Sequence, residues 1–341
     1  MSEFPVNDKS GLEPYRADPA RYAGMDYHRA GRTGLKLPAL SLGLWHNFGF
    51  VDRLANSRDI LRAAFDLGIV HWDLANNYGP PYGSAEQNFG TLFKADFAAH
   101  RDELIIATKA GYDMWPGPYG RGGSRKYLVA SLDQSLARMG LDYVDIFYHH
   151  CPDPETPVEE SLGAVRDIVR QGKSLYAGVS NYGPELTRRA IEFFAAEGTP
   201  FVLHQAKFSL LVRKPEEGLL DVLETGGVGC IAFSPLAQGL LTNRYLDGVP
   251  ADSRAARPYT YLGTEAVTEQ QRRLAALNGI AAERGQSLAQ MALAWLLTRK
   301  AVCSVLAGAS SAAQLRDNVG ALAAPAFDAG TLDAIDAALS G

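Results

Sequence analysis

Eight short apolar runs, separated by amphipathic stretches, constrain this 341-residue chain more than any other feature. In order they are "ALSLGL", "IVHWDLA", "ELIIATKAG", "YVDIFYHH", "SLYAGVSN", "FVLHQAKF", "VGCIAFSPL" and "CSVLAGAS". The stretches between them, such as "SRDILRAAFDLG", "SRKYLVASLDQSLARMG" and "PVEESLGAVRDIVRQG", read as helices that close on a glycine near the C-cap. Strand–helix alternation along the whole chain implies parallel βαβ units. About eight strand candidates predict an α/β fold of the (β/α)8 TIM-barrel type. The rival is a doubly wound sheet, which would announce itself with G-x-G-x-x-G after its first strand. The nearest approach is "GVGCIA", from Gly227 and Gly229 to Ala232, where the glycines precede a strand instead of opening a helix. That context fails.

No break in composition divides residues 25–341, which read as one domain. Residues 1–24 are polar and Pro-containing and read as an arm, lying over the surface or partly disordered. The segment "AQGLLTNRYLDGVPADSRAARPYTYLGTEAVTEQ" exceeds an ordinary βα connection, and loops of that length usually serve as lids or binding loops. With 47% hydrophobic residues, the chain can build a large core. A net charge of -5 gives no global attraction to nucleic acid or an anionic membrane. No apolar run approaches the length of a membrane span, and the opening residues lack a signal-peptide core. Cys151, Cys230 and Cys303 have no metal-ligand spacing, and an odd, sparse set points to free thiols in a reducing cytoplasm.

In a barrel of this kind the chemistry sits where strands end and βα loops begin. The second run ends in Asp73, with Tyr78 on the loop after it. The third ends with Lys109, the fourth with His149 and His150, the fifth with Ser180 and Asn181. The sixth carries Gln205 and the seventh ends in Phe233 and Ser234. A lysine ending an apolar strand needs an acid, and Asp73 on the neighbouring strand supplies one. Two such charges facing the Tyr78 phenol are expected to favour its ionised form and ease its loss of a proton. Each residue alone has a bland reading, as a structural ion pair, a surface ring or a core histidine. Four such types on three consecutive strand ends, all at one face, instead make a general-acid site for reducing a carbonyl. The hydride must come from a cofactor, because no side chain supplies one.

The motifs "DLANNYG", "ATKAG", "YVDIFYHH", "GVSNY", "HQAKF", "FSPLAQGLL" and "VLAGASSAAQLRDN" occur in the order seen in the aldo-keto reductases, and from about residue 25 the chain resembles that family. "SLGLWHNFG", "GYDMWPGPYG" and "GSRKYL" resemble its branch of bacterial L-glyceraldehyde 3-phosphate reductases, which is similar to the β subunits of voltage-gated potassium channels. The resemblance implies a catalytic tetrad of Asp73, Tyr78, Lys109 and His150, with Tyr78 the proton donor. His150 is preferred to His149 by its distance from the Asp of "VDIFYHH" and by parity with Val144, Ile146 and Tyr148. It further implies NADPH, with Trp45, Asp73, Ser180, Asn181 and Gln205 near the nicotinamide and Phe233 stacked on it. Ser234, Pro235, Leu236, Ala237 and Gln238 would hold the pyrophosphate, and Gly308, Ser310, Gln314, Asp317 and Asn318 the adenine side. Arg244 and Arg254 match basic positions facing the adenosine phosphates, which favours NADPH over NADH.

Departures are Leu74 where many relatives have Thr, Phe208 in place of a common Tyr, and a short C-terminus. The implied activity is reduction of small aldehydes: glyceraldehyde phosphates, with methylglyoxal as a side substrate. Trp45, His46, Tyr78, Trp115, Arg121, Arg125 and His150 are the substrate-side candidates, with Arg121 or Arg125 placed to meet a phosphate. No metal is implied, and relatives commonly form tetramers or larger homo-oligomers. Two other readings compete. One is a nucleotide-sensing module like the channel subunits; the other is a lyase using Lys109 as a Schiff base. A further expectation is a capping box, Ser84 with Gln87, opening the helix after Tyr78.

Overall fold

A computed structural model describes residues 15–246, 248–250, 263–323 and 325–340. A short antiparallel hairpin, β1 (Tyr27–Arg29) and β2 (Lys36–Pro38), comes first. The eight apolar runs then form β3 (Leu40–Gly43), β4 (His71–Asp73), β5 (Ile105–Ala110), β6 (Val144–His149), β7 (Ser174–Ser180), β8 (Phe201–Lys207), β9 (Gly229–Phe233) and β10 (Val302–Ala307). They close into a barrel in sequence order, with β10 pairing β3, and every pair is parallel. The chain therefore forms the expected (β/α)8 TIM barrel. Helices α1 (Leu54–Asp66), α2 (Ser84–Leu92), α3 (Arg125–Met139), α4 (Val158–Arg170), α5 (Pro184–Ala196) and α6 (Leu219–Gly226) follow β3 to β8. After β9 come α7 (Thr264–Glu283) and α8 (Leu288–Leu297), and after β10 come α9 (Ala312–Val319) and α10 (Ala329–Ser340).

Two cores result. The larger fills the space between barrel and helices and includes Phe65, Trp72, Phe89, Phe147 and Trp295. The smaller lies inside the barrel, where the hairpin lays Ala30 and Leu37 against Ala107, Ile146 and Leu203. Tyr148 belongs to this inner core, and its ring lies over Gly178 so closely that a Cβ there would come within 2.4 Å of it. Residues from Tyr15 onward cross the outside of α1, where Asp66 accepts from the Tyr15 hydroxyl (2.6 Å) and the Asp18 N–H (2.9 Å).

The first and last barrel strands are joined by more than the β-ladder. Inside, Ser41 Oγ and Ser304 Oγ are 2.5 Å apart, His71 Nδ1 lies 2.8 Å from Ser41 Oγ, and Ser304 donates to the Pro38 carbonyl (2.6 Å). Above the ladder, Asn47 Nδ2 donates to the Ala309 carbonyl and Asn56 Nδ2 to that of Ser310, both at 3.1 Å.

Local signals place most helix ends. Ser124 accepts from the Tyr127 N–H (3.2 Å) to cap α3, which ends on left-handed Gly140. The expected Ser84–Gln87 capping box does not form. Gly83, at φ 84°, takes the N-cap position, so Ser84 already belongs to the first turn and its hydroxyl donates back to the Pro81 carbonyl (2.6 Å). The glycine lets the chain enter the helix one residue sooner than the motif predicts. Among the described residues no helix is long and apolar enough to cross a membrane, and no cluster has the make-up of a metal site.

Candidate active site

The carboxyl ends of β4, β5 and β6 bring Asp73, Lys109 and His150 together, and the loop after β4 returns Tyr78 over them. Asp73 and Lys109 are fully buried. The Lys109 ammonium donates to Asp73 Oδ2 (2.5 Å), to the Leu74 carbonyl (2.6 Å) and to Tyr78 Oη (3.3 Å). From across the barrel mouth, Gln205 Nε2 donates to the other Asp73 oxygen (3.1 Å). The His150 ring stands edge-on to Tyr78, with centroids 6.0 Å apart. His149 points the other way, its Nδ1 2.7 Å from the Tyr182 hydroxyl.

Burial dominates the electrostatics here. It works against the Lys109 ammonium, but Asp73 and Tyr78 outweigh it and hold Lys109 above the ordinary lysine value. Burial also raises Tyr78; Lys109 opposes this and Asp73 reinforces it. The expectation that both charges favour the phenolate is thus corrected. Only Lys109 does so, and in the free protein desolvation wins. His150 is pushed well below the usual histidine range by burial, then by Lys109 and His149, so its imidazole is neutral. At neutral pH the site therefore holds a charged lysine, a protonated phenol and a neutral imidazole.

A cleft of about 480 Å³ runs from Asp73 and Tyr78 along the ends of β3, β9 and β10. Trp45, stacked between His46 (4.2 Å) and Tyr78 (5.8 Å), forms one wall. Phe233, Ser234, Pro235, Leu236 and Gln238 form the other, and Arg244, Gly308, Ser310 and Gln314 line the far end. Ser234, Ala237 and Gln238 all have positive φ, at 53°, 46° and 60°. Left-handed backbone of this kind can turn N–H groups toward an anion; here the Ala237 N–H is taken by the Ser234 carbonyl (2.9 Å) and Pro235 has none. Gln314 Oε1 accepts from both the N–H (2.8 Å) and the hydroxyl (3.0 Å) of Ser310, fixing the edge at the start of α9. A cleft of this size, with Trp45 and Phe233 in its lining near the phenol and a positive-φ turn beside them, suits a dinucleotide.

The expected residues do not all face this cleft. Ser180 and Asn181 sit on the mouth beside it, where Asn181 Nδ2 donates to the His150 carbonyl (3.0 Å). Asp317 is turned to α8, with its carbonyl and Oδ1 both accepting from Gln290 Nε2 (2.9 and 3.1 Å), and Asn318 is buried behind it. Arg125 faces α4, where it pairs with Asp167 at 2.6 Å, so the structure does not bring it to the mouth. Arg121 remains on the loop after β5, largely exposed and 3.7 Å from Asp113. Trp115 packs on Tyr127 (5.1 Å). Arg254 lies outside the described residues. Sequence reasoning missed Asn47, Thr242, Tyr245 and Ala309, which also line the cleft. Of these, Asn47 carried a legible signal, because an Asn in "HNFG" suits the left-handed backbone it adopts at φ 70°.

A TIM barrel whose mouth holds a buried Asp–Lys pair under a tyrosine, opening onto a cleft of about 480 Å³, defines a nicotinamide-dependent carbonyl reductase class. The chain belongs to the aldo/keto reductase family: the family's profile matches residues 39–340. It is 58% identical over 325 residues to the L-glyceraldehyde 3-phosphate reductase of Escherichia coli K12, covering 94% of each chain. It is also 35% identical over 307 residues to a probable voltage-gated potassium channel subunit beta of Oryza sativa subsp. japonica, covering 87% of this chain and 91% of the other. The protein is an oxidoreductase.

Proposed function

We propose that this enzyme reduces small aldehydes with NADPH, L-glyceraldehyde 3-phosphate first among them and methylglyoxal as a lesser substrate. The observation that carries the reading is the Asp73–Lys109–Tyr78 chain at 2.5 and 3.3 Å, closed over by His150. When bound, the reduced nicotinamide supplies a hydride to the carbonyl carbon. Tyr78 gives its proton to the carbonyl oxygen, completing an alcohol, and is reprotonated from solvent. Lys109 stabilises the phenolate left behind, Asp73 keeps Lys109 charged, and neutral His150 orients the carbonyl oxygen by a hydrogen bond. Ser180 and Asn181 would border the nicotinamide end, with Gln205 holding Asp73, and the positive-φ turn at Ser234–Gln238 would hold the pyrophosphate. Arg244, which lines the same cleft as Ser310 and Gln314, would favour NADPH over NADH by pairing with a 2′-phosphate. Arg121 is the remaining candidate for the substrate phosphate.

The test is NADPH oxidation over a panel of phosphorylated and plain short aldehydes, comparing the wild type with Tyr78→Phe and Arg121→Ala. The wild type should turn over faster than about 1 s⁻¹ on its preferred substrate. Tyr78→Phe should lose at least about 100-fold in kcat. Retained activity in that variant would overturn the proton-donor assignment. A phosphorylated-aldehyde KM unchanged in Arg121→Ala would remove that residue from the substrate site.

A further inference from the structure

Asn76 lies within the loop that carries Tyr78 and is fully buried. Its backbone N–H donates to the Lys109 carbonyl (2.9 Å), and its side-chain Nδ2 donates to the Tyr127 hydroxyl (3.0 Å). Tyr127, fully buried on α3, donates that same hydroxyl to the Tyr112 carbonyl (2.5 Å). Tyr112 in turn stands edge-on to the His150 ring, with centroids 4.7 Å apart, and its hydroxyl lies 3.5 Å from Asn181 Nδ2. One oxygen on a helix outside the barrel is thus shared by the loop that presents the proton donor and the loop that backs His150.

We propose that Tyr127 is a positioning residue for the reduction, setting Tyr78 through Asn76 and His150 through Tyr112, so that donor and orienting imidazole keep one relative geometry. The proposal rests on the reductase reading above. Tyr127 touches neither substrate nor cofactor. It acts by fixing two backbones with a single buried hydroxyl, for which the phenyl ring of a phenylalanine has no equivalent. Asn76 Oδ1 finds no partner among the described residues, so the Tyr127 hydroxyl is the one side-chain partner Asn76 has there, and removing it releases both arms together.

The test uses Tyr127→Phe, which keeps the ring and its packing against Trp115. In the ligand-free protein, hydrogen exchange should quicken several-fold in peptides covering 74–80 and 111–117, while peptides from β7 and α5 keep wild-type rates. With NADPH and aldehyde, kcat should fall by about ten- to a hundredfold, as displacement of a reacting group predicts. The isotope effect from deuterated NADPH should rise as hydride transfer becomes rate-limiting. Asn76→Ala should loosen 74–80 alone, because Tyr127 still donates to the Tyr112 carbonyl, and the double variant should be no worse than Tyr127→Phe, as members of one network are non-additive. Unchanged exchange in either segment would overturn the proposal. So would a kcat within about twofold of wild type, too small for a misplaced reacting group, or a loosening spread evenly over the chain. If the wild type reduces no aldehyde, the reductase reading falls, and the exchange measurement still decides the role of Tyr127.

Discussion

Lys109→Met isolates the electrostatic core of the site. The thioether fills much of the same space but removes donors to Asp73, Leu74 and Tyr78 at 2.5, 2.6 and 3.3 Å. Asp73 then remains fully buried with Gln205 its one side-chain donor among the described residues. Breaking a buried pair in this way costs about 3–5 kcal/mol, a large part of the roughly 5–15 kcal/mol that holds a typical domain folded. The cost should depend on pH in a definite direction. In the wild type, burial raises the Asp73 pKa and Lys109 lowers it. In the variant only the Gln205 hydrogen bond still opposes burial, so the folded pKa, already raised in the wild type, stands further above the unfolded carboxylate value. The folded state then takes up a proton that the unfolded state does not, and stability returns as pH falls through that raised pKa. Urea unfolding of wild type, Lys109→Met and Asp73→Asn/Lys109→Met at pH 7 and pH 5 reads this out. The deficit of the single variant should shrink at pH 5, and the double variant should recover at least about 1 kcal/mol at pH 7. A deficit equal at both pH values, or a double variant as unstable as the single one, would refute the reasoning.

Two further predictions follow from buried groups. His71, His149 and His204 have pKa values pushed down by burial to about 3, 4 and 4. Each binds a proton in the unfolded chain before it does in the folded one. Stability should therefore fall as pH drops from about 6 to 4, by about 1.4 kcal/mol per pH unit for each histidine, and flat chemical unfolding midpoints across that range would contradict this. Gly178→Ala sets a methyl against the Tyr148 ring, at 2.4 Å from its nearest carbon, inside the packed barrel. It should destabilise by about 1–3 kcal/mol, visible as a lowered Tm, and a variant as stable as wild type would show that the inner core can yield.

The barrel was legible because its strands are buried runs and its helices end on glycines, both one-dimensional signals. The choice between His149 and His150 followed from the family's spacing after the Asp of "VDIFYHH", with strand parity in support, and the structure turns His150 toward Tyr78 and His149 toward Tyr182. What escaped was direction and depth. Sequence gives the place of Arg125 at the start of α3 but not that Asp167 on α4 claims it. It shows two charges near a phenol but not that burial outweighs Lys109 and that Asp73 acts with burial. The link from Asn76 to Tyr127 spans 51 positions, and nothing local in "LANN" announces it.

The nucleotide cleft lies over the seam where β10 meets β3, with walls from both the early and the late part of the chain. Trp45 and Asn47 follow the first barrel strand, whereas Ser310 and Gln314 are made only after the eighth. A growing chain can thus have seven strands in place and still offer no complete cleft. A molecule seated there bridges the two edges and resists their parting, so it should slow barrel opening as well as favour the folded state by mass action. Occupancy of the cleft then doubles as a report that the last strand has docked.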